Sequence, residues 1–186
     1  MSGGNGPPDP ATRAALIAFI AFITCERLFE LWLSARNARR LAARGAVEHG
    51  RGHFPLFVAL HALFPLALVA EVLFLGTRPG TAWPAWLALL VAAEALRLAA
   101  IRALGGFWNV RIWVLPGAEP VRRGPYRFLR HPNYLAVTLE LLAAPMMFGA
   151  WRTALVVTAL NAAALAVRIP AEERALQGAA AQAPGR

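Results

Sequence analysis

The chain has 186 residues, of which 58% are hydrophobic and only 16% charged. A soluble domain of this length cannot bury so large an apolar share, which excludes an ordinary soluble enzyme and points to an integral membrane protein. All 19 basic residues are arginine and the net charge is +9, but the arginines fall between apolar runs instead of lining one face, so anionic lipid headgroups account for them and nucleic acid does not.

Residues 1–10 are rich in Gly and Pro and are expected to be disordered. Apolar segments follow at about 12–34, 54–75, 83–104, 134–149 and 152–169. A helix needs roughly 20 residues to cross the hydrocarbon core. Three transmembrane helices are therefore expected within 11–105. The last two segments, joined by Gly149–Arg152, are shorter and predict a tight helical hairpin. The fold class expected is an all-α integral membrane protein with about five transmembrane helices. Residues 106–176 would hold a polar loop, the hairpin and a polar C-terminal segment, and 177–186 a disordered tail.

Arg36, Arg39, Arg40, Arg44 and Arg51 lie between the first two segments, and Arg111, Arg122, Arg123, Arg127 and Arg130 between the third and fourth. The opposite loops hold Arg78 and Arg152. The positive-inside rule then puts the N-terminus outside and residues 105–133 in the cytoplasm. The Ala- and Arg-rich composition fits a GC-rich bacterial source, hence an inner membrane. Cys25 is the one cysteine, which excludes an internal disulfide and a thiolate metal cluster, and no metal site is expected.

Glu26, Arg27, Glu30, Glu71, Glu94, Arg97 and Glu140 interrupt the apolar segments. Each would cost about 2.5–3.5 kcal/mol facing lipid at the centre of a helix. They are expected to turn inward and pair, Glu94 with Arg97 one turn away. His61 reads as a helix-packing residue, because no second histidine stands at ligand spacing.

Two segments carry chemistry. LPGAEPVRRGPYRFLRHPNY (115–134) has four prolines, Pro116, Pro120, Pro125 and Pro132, and two glycines, Gly117 and Gly124, which hold it extended and stiff. Pro132 opens the fourth helix, so Arg127, Arg130 and His131 sit near free main-chain N–H groups and suit an anionic group. RIPAEERAL (168–176) sets Arg168, Glu172 and Glu173 one helical turn apart and returns to the same face by chain topology. Together they would enclose a pocket backed by the membrane. Taken alone, each has a plainer reading, a headgroup-binding loop and an amphipathic tail.

GPYRFLRHPNYLAV followed one hairpin later by RIPAEERAL resembles the isoprenylcysteine carboxyl methyltransferase family of integral membrane enzymes. Its R-H-P-x-Y element is present as Arg130, His131, Pro132 and Tyr134, and its R-I-x-x-E-E element as Arg168, Ile169, Glu172 and Glu173. The resemblance covers about residues 108–176 and is that of a short, bacterial-type member. It implies S-adenosylmethionine bound at the cytosolic ends of the last helices, with a lipophilic acceptor, isoprenylcysteine-like or a long-chain phenolic or pyrone lipid, entering from the bilayer. A strand–Gly-rich turn–helix pattern is missing, which excludes a Rossmann-type site. Cofactor contacts are instead expected from Tyr126, Arg130, His131, Pro132, Tyr134, Glu172 and Glu173: donors for its carboxylate, acids for its amine or ribose, and Tyr126, Tyr134 or a nearby tryptophan for its sulfonium. Arg168 would orient the acceptor, and Glu140 or His131 would serve as base for a hydroxyl acceptor. The competing functions are an NADPH-dependent membrane reductase and a non-enzymatic scaffold that binds anionic lipid.

Overall fold

Asp9 starts the first helix: its carboxylate accepts from the Thr12 main-chain N–H at 2.9 Å and hydroxyl at 2.8 Å, and Pro10 takes the first helical position. In this computed structural model, which describes residues 8–181, the chain forms five long helices. They are α1 (Pro10–Ala42), α2 (Phe54–Phe74), α3 (Trp83–Leu104), α4 (Pro132–Met147) and α5 (Trp151–Ala181). A short ribbon, β1 (Val47–His49) with β2 (Ile112–Val114), was not foreseen; it pairs antiparallel in the register Val47 with Val114 and His49 with Ile112.

Arg51–Phe74 and Trp151–Ala179 are long and apolar enough to cross a membrane. The five spans expected from the sequence thus reduce to two that qualify by length and composition. For two of the others the reason is local: α1 carries Glu26, Arg27 and Glu30, and α4 has only 16 residues. Large side chains outside the bundle remain exposed, among them Phe22, Phe29, Trp32, Leu66, Phe74 and Leu155. Water would penalise that girdle and lipid would not. This is a membrane protein.

The core draws on every long helix: Leu16, Phe19 and Ile23 of α1, Leu60, Phe64, Leu68 and Val72 of α2, Leu90 of α3, Leu141 and Ala144 of α4 and Val157 of α5. α3 and α4 pair most extensively, and their buried faces are small: Ala93, Ala100 and Ala103 against Ala136, Ala143 and Ala144. Small residues let membrane helices approach closely. At the hairpin tip Gly149 has φ +73°, and a Cβ there would strike the Arg78 carbonyl. The tight turn expected at 149–152 is therefore packed onto the α2–α3 loop.

At 1.5 Å per residue α1 extends roughly 50 Å and α5 roughly 46 Å, and α5 is thus longer than a hydrocarbon core of about 30 Å. The C-terminal turns of α1 fasten the loop after α3. Ser34 exchanges bonds with Asn109, its hydroxyl meeting Oδ1 at 2.7 Å and its carbonyl accepting from Nδ2 at 3.0 Å, and Asn37 donates to the Trp108 carbonyl at 2.8 Å. The overhang of α5 passes Pro170 and packs Ala171, Ala175 and Ala179 on Ile112 and Val114. That packing makes residues 177–181 helical, where a tail had been expected. Residues 1–7 and 182–186, the rest of the two expected disordered ends, lie outside the described residues.

Glu71 is buried because it caps α5. Its carboxylate accepts from the main-chain N–H of Arg152 at 3.2 Å and of Thr153 at 2.6 Å. Those N–H groups have no helical partner of their own, and a carboxylate also suits the positive end of the helix dipole. Glu71→Ala is expected to cost about 2 kcal/mol, read as a fall in the thermal unfolding midpoint in detergent, with Glu71→Gln recovering part of it.

Candidate functional site

Tyr134 is the centre of the site. It lies in the first turn of α4, two residues beyond Pro132, and its hydroxyl accepts from Arg168 Nε at 2.7 Å and donates to Glu172. Arg168, nearly fully buried, also donates from Nη2 to the Val110 carbonyl at 2.6 Å. Its guanidinium lies over the ring of Phe57, 5.0 Å from the centroid. The arginine thus joins three separate pieces of chain: α4, α5 and the loop before β2.

His131 stacks on the Tyr134 ring with centroids 5.4 Å apart. Its Nε2 lies 3.3 Å from Glu173 Oε1, and because a carboxylate only accepts, that nitrogen carries the hydrogen. Arg130 approaches the same carboxylate at 3.9 Å and is otherwise largely exposed. The R-H-P-x-Y and R-I-x-x-E-E elements therefore meet side chain to side chain.

Two cavities flank Tyr134. The first, about 200 Å³, is lined by Tyr126, Arg130, His131, Tyr134 and Glu172 from the two elements. Trp108, Asn109, Trp113, Glu119 and Asn133 also line it, and none of these was singled out by residue number from the sequence. The indole N–H groups of Trp108 and Trp113 are buried without a hydrogen-bond partner among the described residues. Unmet donors of this kind fit a ligand with lone pairs. Burial, then the nearby charge of Glu172, pushes the Tyr126 hydroxyl above the ordinary tyrosine pKa, so it stays a neutral donor. Glu173 does not line the cavity; it acts on it through His131 and Arg130.

The second cavity, about 310 Å³, is mostly apolar: Leu31, Phe54, Phe57, Val58, Ala62, Val137 and Leu165. Leu31 of α1 and Val58 of α2 are half exposed at its edge, which leaves it open between those helices. Its polar lining includes Arg27, Glu30, His61, Asn161 and Arg168. Trp108, Asn109, Asn133 and Tyr134 belong to both cavities, so the two adjoin across a wall one side chain thick.

Glu140 lines neither cavity. Its carboxylate is held by Arg27 Nη2 at 2.9 Å and by Arg97. Arg27 and Arg97 also bind Glu30, at 2.6 and 3.1 Å, with Glu26 and Glu94 at the rim. Carboxylate oxygens of Glu26, Glu94 and Glu140 come within 4.8 Å of one another, and the two guanidinium groups among them supply counter-charge. Glu140 thus anchors Arg27, which does line the apolar cavity. The inward pairing expected of these charges is present, both within α1, Arg27 with Glu30, and across helices; Arg97 meets Glu94, its expected partner, only at 4.0 Å.

Comparison with known proteins adds two relatives of similar length. The chain is 38% identical to the uncharacterised protein YpbQ of Bacillus subtilis over 158 residues, 85% of this chain and 94% of that one. It is 32% identical to an uncharacterised protein of Haemophilus influenzae over 157 residues, 84% of this chain and 91% of the relative. No solved structure matches significantly. The isoprenylcysteine carboxyl methyltransferase (ICMT) family matches residues 86–178, a stretch that begins in α3 and takes in the loop, the hairpin and every residue joined through Tyr134. On that match, with the R-H-P-x-Y and R-I-x-x-E-E side chains in contact, the chain belongs to the isoprenylcysteine carboxyl methyltransferase family.

Proposed function

We propose that this protein is a membrane-embedded, S-adenosylmethionine-dependent O-methyltransferase that methylates a carboxyl or hydroxyl oxygen of a lipophilic acceptor. The observation that carries the reading is the pair of adjoining cavities, one polar and aromatic, the other apolar and open between α1 and α2, with Tyr134 between them. The polar cavity fits the methyl donor by its chemistry. The orphaned Trp108 and Trp113 N–H groups, with Tyr126 and Arg130, are donors for a carboxylate, Glu172 accepts from an ammonium or ribose hydroxyl, and aromatic faces favour a sulfonium.

When bound, the donor supplies an electrophilic methyl carbon on a positively charged sulfur. What the chain's own residues contribute is position. Arg168 and Glu172 fix the Tyr134 hydroxyl from either side, His131 fixes its ring, and Pro132 fixes the turn that presents it. Holding two reactants in line replaces a bimolecular encounter and supplies much of the rate. Arg168 and, through Arg27, Glu140 shape the polar end of the acceptor cavity. By the arginine distribution, the polar cavity faces the cytoplasm of a bacterial inner membrane, with the N-terminus outside.

Calorimetry of the purified protein in detergent tests the reading. S-adenosylmethionine and its demethylated product are expected to bind saturably, and NADPH is not. Glu172→Ala is expected to weaken the sulfur cofactors about 10- to 100-fold, the worth of one hydrogen bond to a charged group. Binding of NADPH alone would move the protein to the reductases. A folded protein that binds none of the three would be a scaffold.

A further inference from the structure

The apolar cavity leaves some of its hydrogen-bonding groups without protein partners. Arg27 gives Nη1 to Glu30 and Nη2 to Glu140, and Glu30 also takes Arg97. Arg168 is shared between the Tyr134 hydroxyl and the Val110 carbonyl, and that hydroxyl lies between Arg168 and Glu172. The ionisable groups lining the cavity from α1, α4 and α5 are therefore committed to protein partners.

Two lone pairs are not. His61 Nδ1 lies 2.8 Å from the Phe57 carbonyl, one turn back on the same helix. A carbonyl only accepts, so Nδ1 carries the hydrogen and the neutral ring keeps its lone pair on Nε2. With Nδ1 turned back on its own helix, Nε2 is the outer edge of a ring that lines the cavity, and it has no hydrogen-bond partner among the described residues. The second is Asn161 Oδ1. The Thr138 hydroxyl donates to the Tyr134 carbonyl at 2.8 Å, so towards Asn161 it accepts, from Nδ2 at 3.0 Å. That fixes the amide's orientation and leaves Oδ1 buried without a donor.

His61 Nε2 and Asn161 Oδ1 offer lone pairs to a hydroxyl hydrogen, and the unpaired Trp108 indole N–H in the same lining offers a donor to its oxygen. A carboxylate brings only further lone pairs; a hydroxyl brings O–H. We propose that His61 is the general base of the reaction, taking at Nε2 the proton of a lipid hydroxyl as its oxygen is methylated. This rests on the methyltransferase reading and names the acceptor group within it. In the step, the O–H bond breaks towards Nε2 and the oxygen bonds the methyl carbon. The carbon–sulfur bond breaks with its electron pair returning to sulfur. His61 leaves as imidazolium and later releases its proton to water. A base is needed here because a phenol of pKa about 10 is only about one part in a thousand ionised at neutral pH. His61 also lies seven residues beyond Phe54, roughly 10 Å into α2, where hydroxide is scarce.

The test is His61→Asn, whose side-chain amide keeps a donor for the Phe57 carbonyl but has no base. Two acceptors with matched alkyl chains are compared: a phenol, and a nitrophenol already ionised at mildly alkaline pH. For the phenol, kcat is expected to fall about 100-fold or more, and for the nitrophenolate less than about threefold, with S-adenosylmethionine affinity unchanged. Equal losses with both acceptors would make His61 a packing residue, and an unchanged rate with the phenol would remove it from the chemistry; either overturns the proposal. A wild-type protein that binds no S-adenosylmethionine overturns the methyltransferase reading itself. Normal cofactor binding with no difference between wild type and variant overturns the base alone.

Discussion

Arg97→Met is expected to destabilise the protein by about 3–5 kcal/mol, enough to lose most of the folded protein from the membrane. Arg97 is about 1% exposed, and its guanidinium faces carboxylates on three helices: Glu26 and Glu30 of α1, Glu94 of α3 and Glu140 of α4. Removing it leaves Arg27 to balance four acids inside the bundle. The penalty is that of buried charge without a partner and not of lost packing, since methionine nearly matches the arginine stem. A second variant separates the two. Arg97→Met combined with Glu140→Met removes one charge of each sign and is expected to recover at least half of the loss, measured as the unfolding midpoint in one detergent. A single variant as stable as the wild type would show that the cluster is solvated and carries no such energy.

Arg168→Lys is expected to leave the fold intact and lower kcat/KM for methyl transfer about 100-fold. The positive charge is kept. What is lost is the rigid fork that gives Nε to Tyr134 and Nη2 to the Val110 carbonyl, two directions that one ammonium on a flexible stem does not hold together. Tyr134 then swings free of Glu172, and the wall shared by the two cavities loosens on both sides. S-adenosylmethionine affinity is expected to drop about 10-fold in the same variant, because Glu172 loses its fixed partner. A lysine enzyme within about threefold of the wild type would mean that charge alone sets the site.

Much of this site was legible because its residues are local in sequence. Pro132 at a helix start, with Arg130 and His131 before it and Tyr134 after it, describes one turn of chain whose geometry follows from proline itself. The spacing of Arg168, Glu172 and Glu173 sets one helix face in the same way. Contacts across the bundle were not legible. Trp108 and Trp113 reach the polar cavity because Ser34 and Asn37, far back in α1, hold their loop in place. Glu140, a candidate base that was also expected to pair inward, meets Arg27 and Arg97, partners that nothing near it in sequence names. The tautomer of His61, read from sequence as a packing residue, is set by the Phe57 carbonyl one turn back. Three-residue strands are too short for an alternating pattern to register, and α5 ran through Pro170 because its far end gained apolar contacts on the ribbon.

The cap on α5 bears on how the protein is made. Glu30 of α1 meets Arg97 of α3, so their charges are matched once three helices have left the ribosome. Glu71 of α2 is different: its partners among the described residues are Arg152 and Thr153, at the start of the last helix. A chain that ends before that point carries in its second helix an acid without these partners, which is costly in an apolar setting. Burial of that acid with its partners therefore waits for the last helix.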